Sequence, residues 1–300
     1  KHFSPSQLGT HIRCRRKWWL QKISNLPSKH TTKAMMKGTG VHSTLEHRLL
    51  TATWKELADI KGVASGKLLL RIAQSHGDTL FPSEPVPKDL VEHKIKTKSI
   101  TGRVCKGVVD WVEPENNRIN DHKTLSSSAW VKMEVELKSD FQAICYCKDA
   151  LDNMGFTDLV KFRHIYYPTT SKAQPDTTEI VMSANEIQTK FNEKVEPRVA
   201  IMTEDAEIEL PGEVVPNPSA CGDYGGCEFR DLCGQIGDLR KHRADPFESL
   251  PSNKDKEAEQ AETGVKKMGL FNRVKKTQAK KAEEVKEDTK TAGINPPDGV

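Results

Sequence analysis

Apolar residues at Val41, Leu45, Leu49 and Leu50 fall at the spacing of one buried helix face, whereas Gly107-Val-Val-Asp110-Trp-Val alternates as a half-buried strand does. Reading the whole chain this way predicts an N-terminal helix opened by Ser4 as its cap and running through Trp18-Trp19-Leu20, then a Ser-, Thr- and Lys-rich loop over 23–37. A second helical stretch opens near Gly38 and its pattern continues to about residue 80. Strands follow over 90–100, 102–113 and 118–124, a helix over 135–153, strands over 161–167 and 177–182, and a helix over 185–202. That order packs as an α/β fold, a mixed central sheet flanked by helices. The sequence contains no internal repeat.

Two of the strands form a hairpin. Pro114-Glu-Asn-Asn117 is a turn-rich spacer between Gly107-Val-Val-Asp110-Trp-Val and Arg118-Ile-Asn-Asp121-His-Lys123. Centring the turn on Glu115 and Asn116 places Val112 opposite Ile119 and Asp110 opposite Asp121. Like charges facing each other with Cβ atoms roughly 5 Å apart are destabilising, so a cation between them is expected. Hard divalent ions such as Mg²⁺ or Mn²⁺ take oxygen ligands of this kind. Lys123, two residues beyond Asp121 on the same side of the strand, is placed to neutralise or polarise what the acids hold. The other reading is a solvated hairpin edge carrying two ordinary acids and a lysine. His42 has two readings as well. It shares a helix face with Leu45 and Leu49 as a core histidine would, yet Gly38 and Gly40 permit close backbone approach, and Glu46 could orient the imidazole as a metal ligand.

Composition limits the class. Three hundred residues at 36% hydrophobic content suffice for one substantial core. The net charge of +4 is too small to identify a partner, so any nucleic-acid surface must come from local clustering. No apolar run approaches the roughly 20 residues of a membrane span, and no signal-peptide pattern occurs, so a soluble, cytoplasmic protein is expected. Beyond about residue 245 the character changes, and segments such as 253–262 and 275–288 are nearly all charged, alanine or polar, which divides the chain into a folded domain over 1–240 and a disordered charged tail over 245–300. The tail reads as a solvated linker or, alternatively, a docking arm.

Cys221, Cys227 and Cys233 lie close together, and Cys14 lies far upstream in Arg-Cys14-Arg-Arg-Lys-Trp-Trp. In an intracellular chain, clustered thiols point to metal more often than to disulfides. Three local thiolates and one remote one make a four-cysteine site for a [4Fe-4S] cluster or for zinc. Arg13, Arg15, Arg16 and Lys17 beside Trp18 and Trp19 combine phosphate-seeking charge with surfaces on which bases could stack, unless the tryptophans are core anchors.

The series Gly38-x-Gly-x-His42, Gly107-Val-Val-Asp110, Asp121-His-Lys123 and Gln142-Ala-Ile-Cys-Tyr146, bracketed by Cys14 and the cysteine trio, resembles the RecB-like branch of the PD-(D/E)xK nuclease superfamily. Within that branch it is most similar to the iron-sulfur exonucleases, which include AddB nuclease domains, the CRISPR-associated RecB-like exonuclease and phage relatives. The resemblance spans residues 4–233 and implies a restriction-endonuclease-like core, with the cysteine-cluster region joining its N- and C-terminal parts. It implies that His42, Asp110, Asp121 and the backbone carbonyl of His122 bind Mg²⁺ or Mn²⁺. By the same resemblance Lys123 positions or activates the attacking water and stabilises charge on the scissile phosphate, and Gln142 and Tyr146 form the family's Gln-x-x-x-Tyr helix. Cys14, Cys221, Cys227 and Cys233 would hold a [4Fe-4S] cluster, although the Cys221 to Cys227 separation is wider than in many members. The implied activity is metal-dependent exonucleolytic hydrolysis of DNA, at single-stranded ends, in recombination, repair, phage DNA processing or CRISPR adaptation, in a prokaryotic or phage-infected cell. The alternative is a DNA-binding or assembly module whose nuclease centre is idle and whose metal cluster is structural.

Overall fold

The computed structural model describes residues 2–27, 32–60 and 65–236. The tail expected over 245–300 lies outside the described residues. After a short strand β1 (His2–Phe3), Ser4 caps α1 (Pro5–Arg13), its Oγ accepting the Gln7 N–H at 3.3 Å. The single N-terminal helix of the sequence reading is two helices. Cys14 breaks it with extended backbone (φ −159°, ψ 111°), and its Sγ accepts the Lys17 N–H at 3.4 Å to cap α2 (Arg15–Lys22). Helix α3 (Lys33–Thr51) starts before Gly38 because Thr32 supplies a cap, Oγ1 accepting the Met35 N–H at 3.2 Å. It ends at Ala52 in the left-handed conformation (φ 55°), so the helical pattern resumes separately as α4 (Gly66–Ala73).

The sheet is built from β2 (Val91–Lys94), β4 (Val108–Glu113), β5 (Arg118–Leu125), β6 (Leu159–Pro168) and β7 (Asp176–Ser183), in that spatial order. Only β5 and β6 run parallel, joined across α5 (Glu134–Leu137) and α6 (Phe141–Asn153); the other pairs are antiparallel. The mixed sheet with flanking helices is the expected one. The predicted strand over 102–113 is divided, because β3 (Val104–Cys105) pairs with β1 and the Lys106 N–H donates to Phe3 O at 2.7 Å. The helix predicted over 185–202 is present as α7 (Ala184–Lys190) and α8 (Glu196–Asp205), joined by a π-helical turn at Phe191–Val195. A last helix, α9 (Arg230–Ile236), closes the described chain.

Strand alternation divides the core in two. Val112, Ile119, Phe162 and Ile180 pack with Ile144 of α6, Phe191 and Val199, whereas Trp111, Ile165 and Tyr167 pack with Val41, Leu45 and Leu49 of α3 and Leu69 of α4. The second layer brings α3 and its histidine against the sheet. Gly40 permits this approach, since a Cβ there would lie 2.6 Å from Leu69 Cδ1.

Gly107 plays the same part on the other side. A Cβ on it would lie 2.9 Å from Tyr146 Cε1 and 3.1 Å from Ile95 Cδ1, both buried. Gly107→Ala is expected to destabilise the fold by roughly 1–3 kcal/mol through overpacking. It should also displace Tyr146, visible as a lower urea midpoint at unchanged m-value.

Candidate active site

The hairpin has the predicted register, Trp111↔Asn120, Val112↔Ile119 and Glu113↔Arg118, turning through Pro114–Asn116 with Asn117 left-handed (φ 48°). Continuing this register puts Asp110 level with Asp121. Past Trp111 the two strands are linked through a side chain, Asp110 Oδ2 accepting the His122 N–H at 2.6 Å. Asp110 Oδ1 lies 3.3 Å from Nδ1 of His42 on α3. A third candidate ligand is a residue that the sequence does not mark. His42, Glu92 and Asp110 each offer one ligand atom, and these atoms lie within 4.8 Å of one another.

Glu92 sits in β2 with φ of 51°, a conformation that L side chains adopt at a cost and that tends to concentrate at functional sites. In Val91-Glu92-His93-Lys94 nothing but this backbone geometry marks it, and backbone geometry is not legible in the sequence. Glu46 lies near Glu92 and adds to its negative surroundings, while the His42 Nδ1 faces Asp110.

Beside this trio stands a second group. Asp121 pairs with Lys123, and its Oδ1 accepts Gln142 Nε2 at 2.5 Å. Gln142 Nε2 also donates to the Tyr146 hydroxyl at 3.1 Å, and that hydroxyl donates to Val108 O at 2.7 Å, so Gln142 and Tyr146 tie α6 to both strands of the hairpin. Helix α6 is aimed by Asp140, whose Oδ1 accepts the Gln142 N–H at 2.7 Å while Oδ2 pairs with Lys132. His164, the β6 partner of Asp121, places Nε2 3.6 Å from Asp121 Oδ2 and Nδ1 3.0 Å from the Tyr166 hydroxyl. Lys123, Gln142 and Tyr146 open onto a cavity of about 480 Å³, bounded by Ser4 and Pro5 at the start of α1 and by Lys106.

The electrostatics separate these acids. Burial works against ionisation of Asp110, but the His42 and His122 contacts outweigh it and hold its carboxyl below the usual range. Burial, with Asp110 nearby, pushes Asp121 up to about 6 despite Lys123. Burial, then the charges of Asp110 and Glu46, push Glu92 up to about 7. For His42 burial lowers the pKa, and the Asp110 contact reverses this, so the imidazole holds its proton above its ordinary range. Burial pushes His122 down to about 3, so its ring is neutral, and its Nδ1 lies 3.1 Å from the Tyr167 hydroxyl.

The site therefore holds protons that a cation bound there would have to displace. Mn²⁺ affinity is expected to rise as pH is raised through 6 to 7, where Asp121 and Glu92 lose their protons, with proton release accompanying binding. Calorimetric titration in buffers of differing ionisation enthalpy measures that release.

The four clustered cysteines line one cavity of about 470 Å³, and none of them is disulfide-bonded. Cys14 Sγ accepts the N–H groups of Lys17 and Asn217, each at 3.4 Å, and Cys233 Sγ accepts Arg16 Nη1 at 3.4 Å. Burial, then the neighbouring thiols of Cys227, Cys233 and Cys14, push up the Cys221 thiol. Cys105, Cys145 and Cys147 are buried in the core.

The basic run before the tryptophans differs from expectation. Arg15 forms a two-pronged pair with the buried Asp205, which His11 Nε2 also meets at 2.7 Å. Arg16 is 1% exposed and donates to Val214 O and Gly212 O. Trp18 and Trp19 are buried, their indole N–H groups donating to Gln7 Oε1 and Ile208 O. These side chains bind the C-terminal segment to α2 and offer no stacking surface. Arg13 lies 3.7 Å from Asp223 at the surface, and Lys17 lies 3.9 Å from Glu228 at the cysteine cavity.

No helix among the described residues is long and apolar enough to cross a membrane. No curated protein matches the chain. Among solved structures, a protein named "Putative exonuclease" from Eubacterium rectale shares the fold, with a TM-score of 0.50 and 16% identity over 85% of this chain and 92% of that one. The family model of the PD-(D/E)XK nuclease superfamily matches residues 2–234, the span that carries the hairpin acids, the lysine and the cysteines. On that match the chain belongs to the PD-(D/E)XK nuclease superfamily.

Proposed function

We propose that this nuclease is a metal-dependent DNA exonuclease of the RecB-like, iron-sulfur kind, acting on single-stranded ends, with residues 1–240 as its exonuclease domain. The observation that supports it most is the convergence of His42, Glu92 and Asp110 beside the Asp121–Lys123 pair. Two carboxylates and an imidazole within 4.8 Å form a donor set suited to Mn²⁺ or Mg²⁺. Asp121 and the His122 carbonyl would complete the set on the hairpin side. The bound cation would supply hydroxide at neutral pH and polarise the phosphoryl oxygen.

The protein's own groups do the positioning. Asp110, fixed by the His122 N–H, presents its other oxygen toward His42. Gln142 and Tyr146 keep Asp121 from rotating, and Lys123 holds a positive charge at the mouth of the cavity, where it would meet the non-bridging oxygens of the scissile phosphate. Since phosphoryl transfer demands mainly alignment and charge stabilisation, this inventory is sufficient.

For the cysteines we infer a [4Fe-4S] cluster. Four free thiols around one cavity, with backbone and guanidinium donors on two of the sulfurs, favour thiolate ligation. Zinc would draw the sulfurs together at its roughly 2.3 Å bonds. Among the described residues, the converging group within 4.8 Å is His42, Glu92 and Asp110 and not the thiols. The wider spacing suits the larger cluster.

The test is an anaerobic preparation incubated with end-labelled single-stranded and double-stranded DNA, with and without Mn²⁺, alongside an iron assay. Nucleotide release from single-stranded ends that requires Mn²⁺, with about four irons per chain, is the expected result. Retention of DNA without cleavage under every condition would reverse the assignment of activity.

A further inference from the structure

The loop that leaves the catalytic strand carries a large aromatic side chain outward. Trp130 is 63% exposed, and Met133 and Val135 beside it are 64% and 68% exposed. The exposure does not come from a loose loop. Thr170 Oγ1 donates to Ser126 O at 2.6 Å, the Gln174 N–H donates to Ser128 Oγ at 3.2 Å, and Thr178 Oγ1 donates to Lys132 O at 2.9 Å. Val131 turns inward onto Leu125, Tyr166 and Ala173, so its neighbour Trp130 is held outward on a fixed turn. Three large apolar side chains within six residues are thus exposed on an ordered segment, surface that is available for binding.

The position of this turn names what it would bind. Tyr166, whose hydroxyl accepts the Lys132 N–H at 3.1 Å, is the β6 partner of Lys123 itself. Lys132 pairs with Asp140, which lines the same cavity as Lys123 and Gln142. Trp130 thus lies two residues along the chain from Lys132, which is tied through Asp140 to the lining of the cavity that Lys123 faces. A polynucleotide threaded past Lys123 continues over the surface around that cavity, its phosphates toward cations and its bases toward an exposed π surface.

We propose that Trp130 is a stacking platform for an unpaired base of the DNA strand next to the scissile phosphate, with Met133 alongside. Every base has a π face, so such a platform holds single strands without regard to sequence. A base paired within a duplex offers no free face there. The platform therefore supplies part of the single-strand preference, and in this respect it rests on the exonuclease reading above.

The experiment compares the full-length wild-type, Trp130→Ala and Trp130→Phe proteins, purified anaerobically. Binding of a labelled oligothymidylate is followed by fluorescence anisotropy with Ca²⁺ in place of Mn²⁺, and cleavage is followed with Mn²⁺. Trp130→Ala should weaken binding about tenfold and raise KM in parallel, with kcat within about twofold of wild type, and Trp130→Phe should recover most of the affinity. Thermal unfolding should be unchanged, since the side chain is exposed. A wild type that cleaves while Trp130→Ala binds equally well overturns the platform alone. A wild type that neither binds nor cleaves overturns the exonuclease reading and the platform together.

Discussion

Lys123→Ala is expected to lower Mn²⁺-dependent cleavage by about 10³-fold or more while the protein remains folded. The side chain is half-buried at the cavity and paired with Asp121. Burial alone would weaken its charge, yet Asp121, Asp110 and Asp140 outweigh that and hold the ammonium pKa above its ordinary value. It is therefore a cation at every working pH. That suits it to orient water and bear on phosphate charge, and it argues against a role as a proton acceptor. Removing it leaves Asp121 without its cation, but that carboxyl already titrates near 6 and can take up a proton, so the cost to stability is small. Lys123→Met, similar in length and uncharged, should behave like Lys123→Ala, whereas Lys123→Arg should retain part of the rate. Initial rates on end-labelled DNA, with circular dichroism melts of each variant, measure both sides of this expectation. A Lys123→Met enzyme within tenfold of wild type would remove the lysine from the mechanism.

Glu92→Gln should raise the stability of the metal-free protein and abolish its stabilisation by Mn²⁺. Glu92 titrates at about 7 in the fold against 4.5 ordinarily, so the folded chain binds its proton more tightly than the unfolded chain does. Metal-free stability attributable to this group is therefore complete below pH 4.5, falls as pH rises through 7 and stays low above it. At pH 8 the substitution should recover about 2 kcal/mol, less than the full conversion of the shift because the side chain is only partly buried. That corresponds to a rise in Tm of about 5 °C, disappearing near pH 5. With Mn²⁺ the order inverts, since the wild type gains a ligand-linked increment that the variant lacks. Scanning calorimetry at pH 5 and pH 8, with and without Mn²⁺, tests both. Equal melting temperatures for the two metal-free proteins at pH 8 would show that Glu92 carries no repulsion.

Asp110 differs from Glu92 in this respect. From the hairpin alone, either acid of the facing pair could be the source of repulsion. In the fold Asp110 is the satisfied one, accepting the His122 N–H and facing His42, so its loss would strand a buried donor. The excess repulsion falls on Asp121 and Glu92 instead.

What was legible in the sequence was whatever depends on local spacing. The hairpin register followed from a turn of fixed length and a period of two, and Val112 does face Ile119. The helix carrying Gln142 and Tyr146 one turn apart follows from the same kind of rule, and so does the order of strands and helices. Element ends were less legible. They rest on caps, such as the Cys14 sulfur and the Thr32 hydroxyl, which act only once a neighbouring N–H is in place.

The sequence by itself determined the mixed α/β class, the Asp110 and Asp121 hairpin, the lysine beside it and the trio Cys221, Cys227 and Cys233, because each is a matter of residue type at short separation, whereas Cys14 reaches the trio only through the fold. The tertiary structure alone decided that Glu92 joins His42 and Asp110, that Arg15, Arg16, Trp18 and Trp19 turn inward, and that Trp130 turns outward. Those outcomes depend on which side chains distant parts of the chain bring to the same place. A buried charge or aromatic ring takes its role from partners as much as 217 residues away.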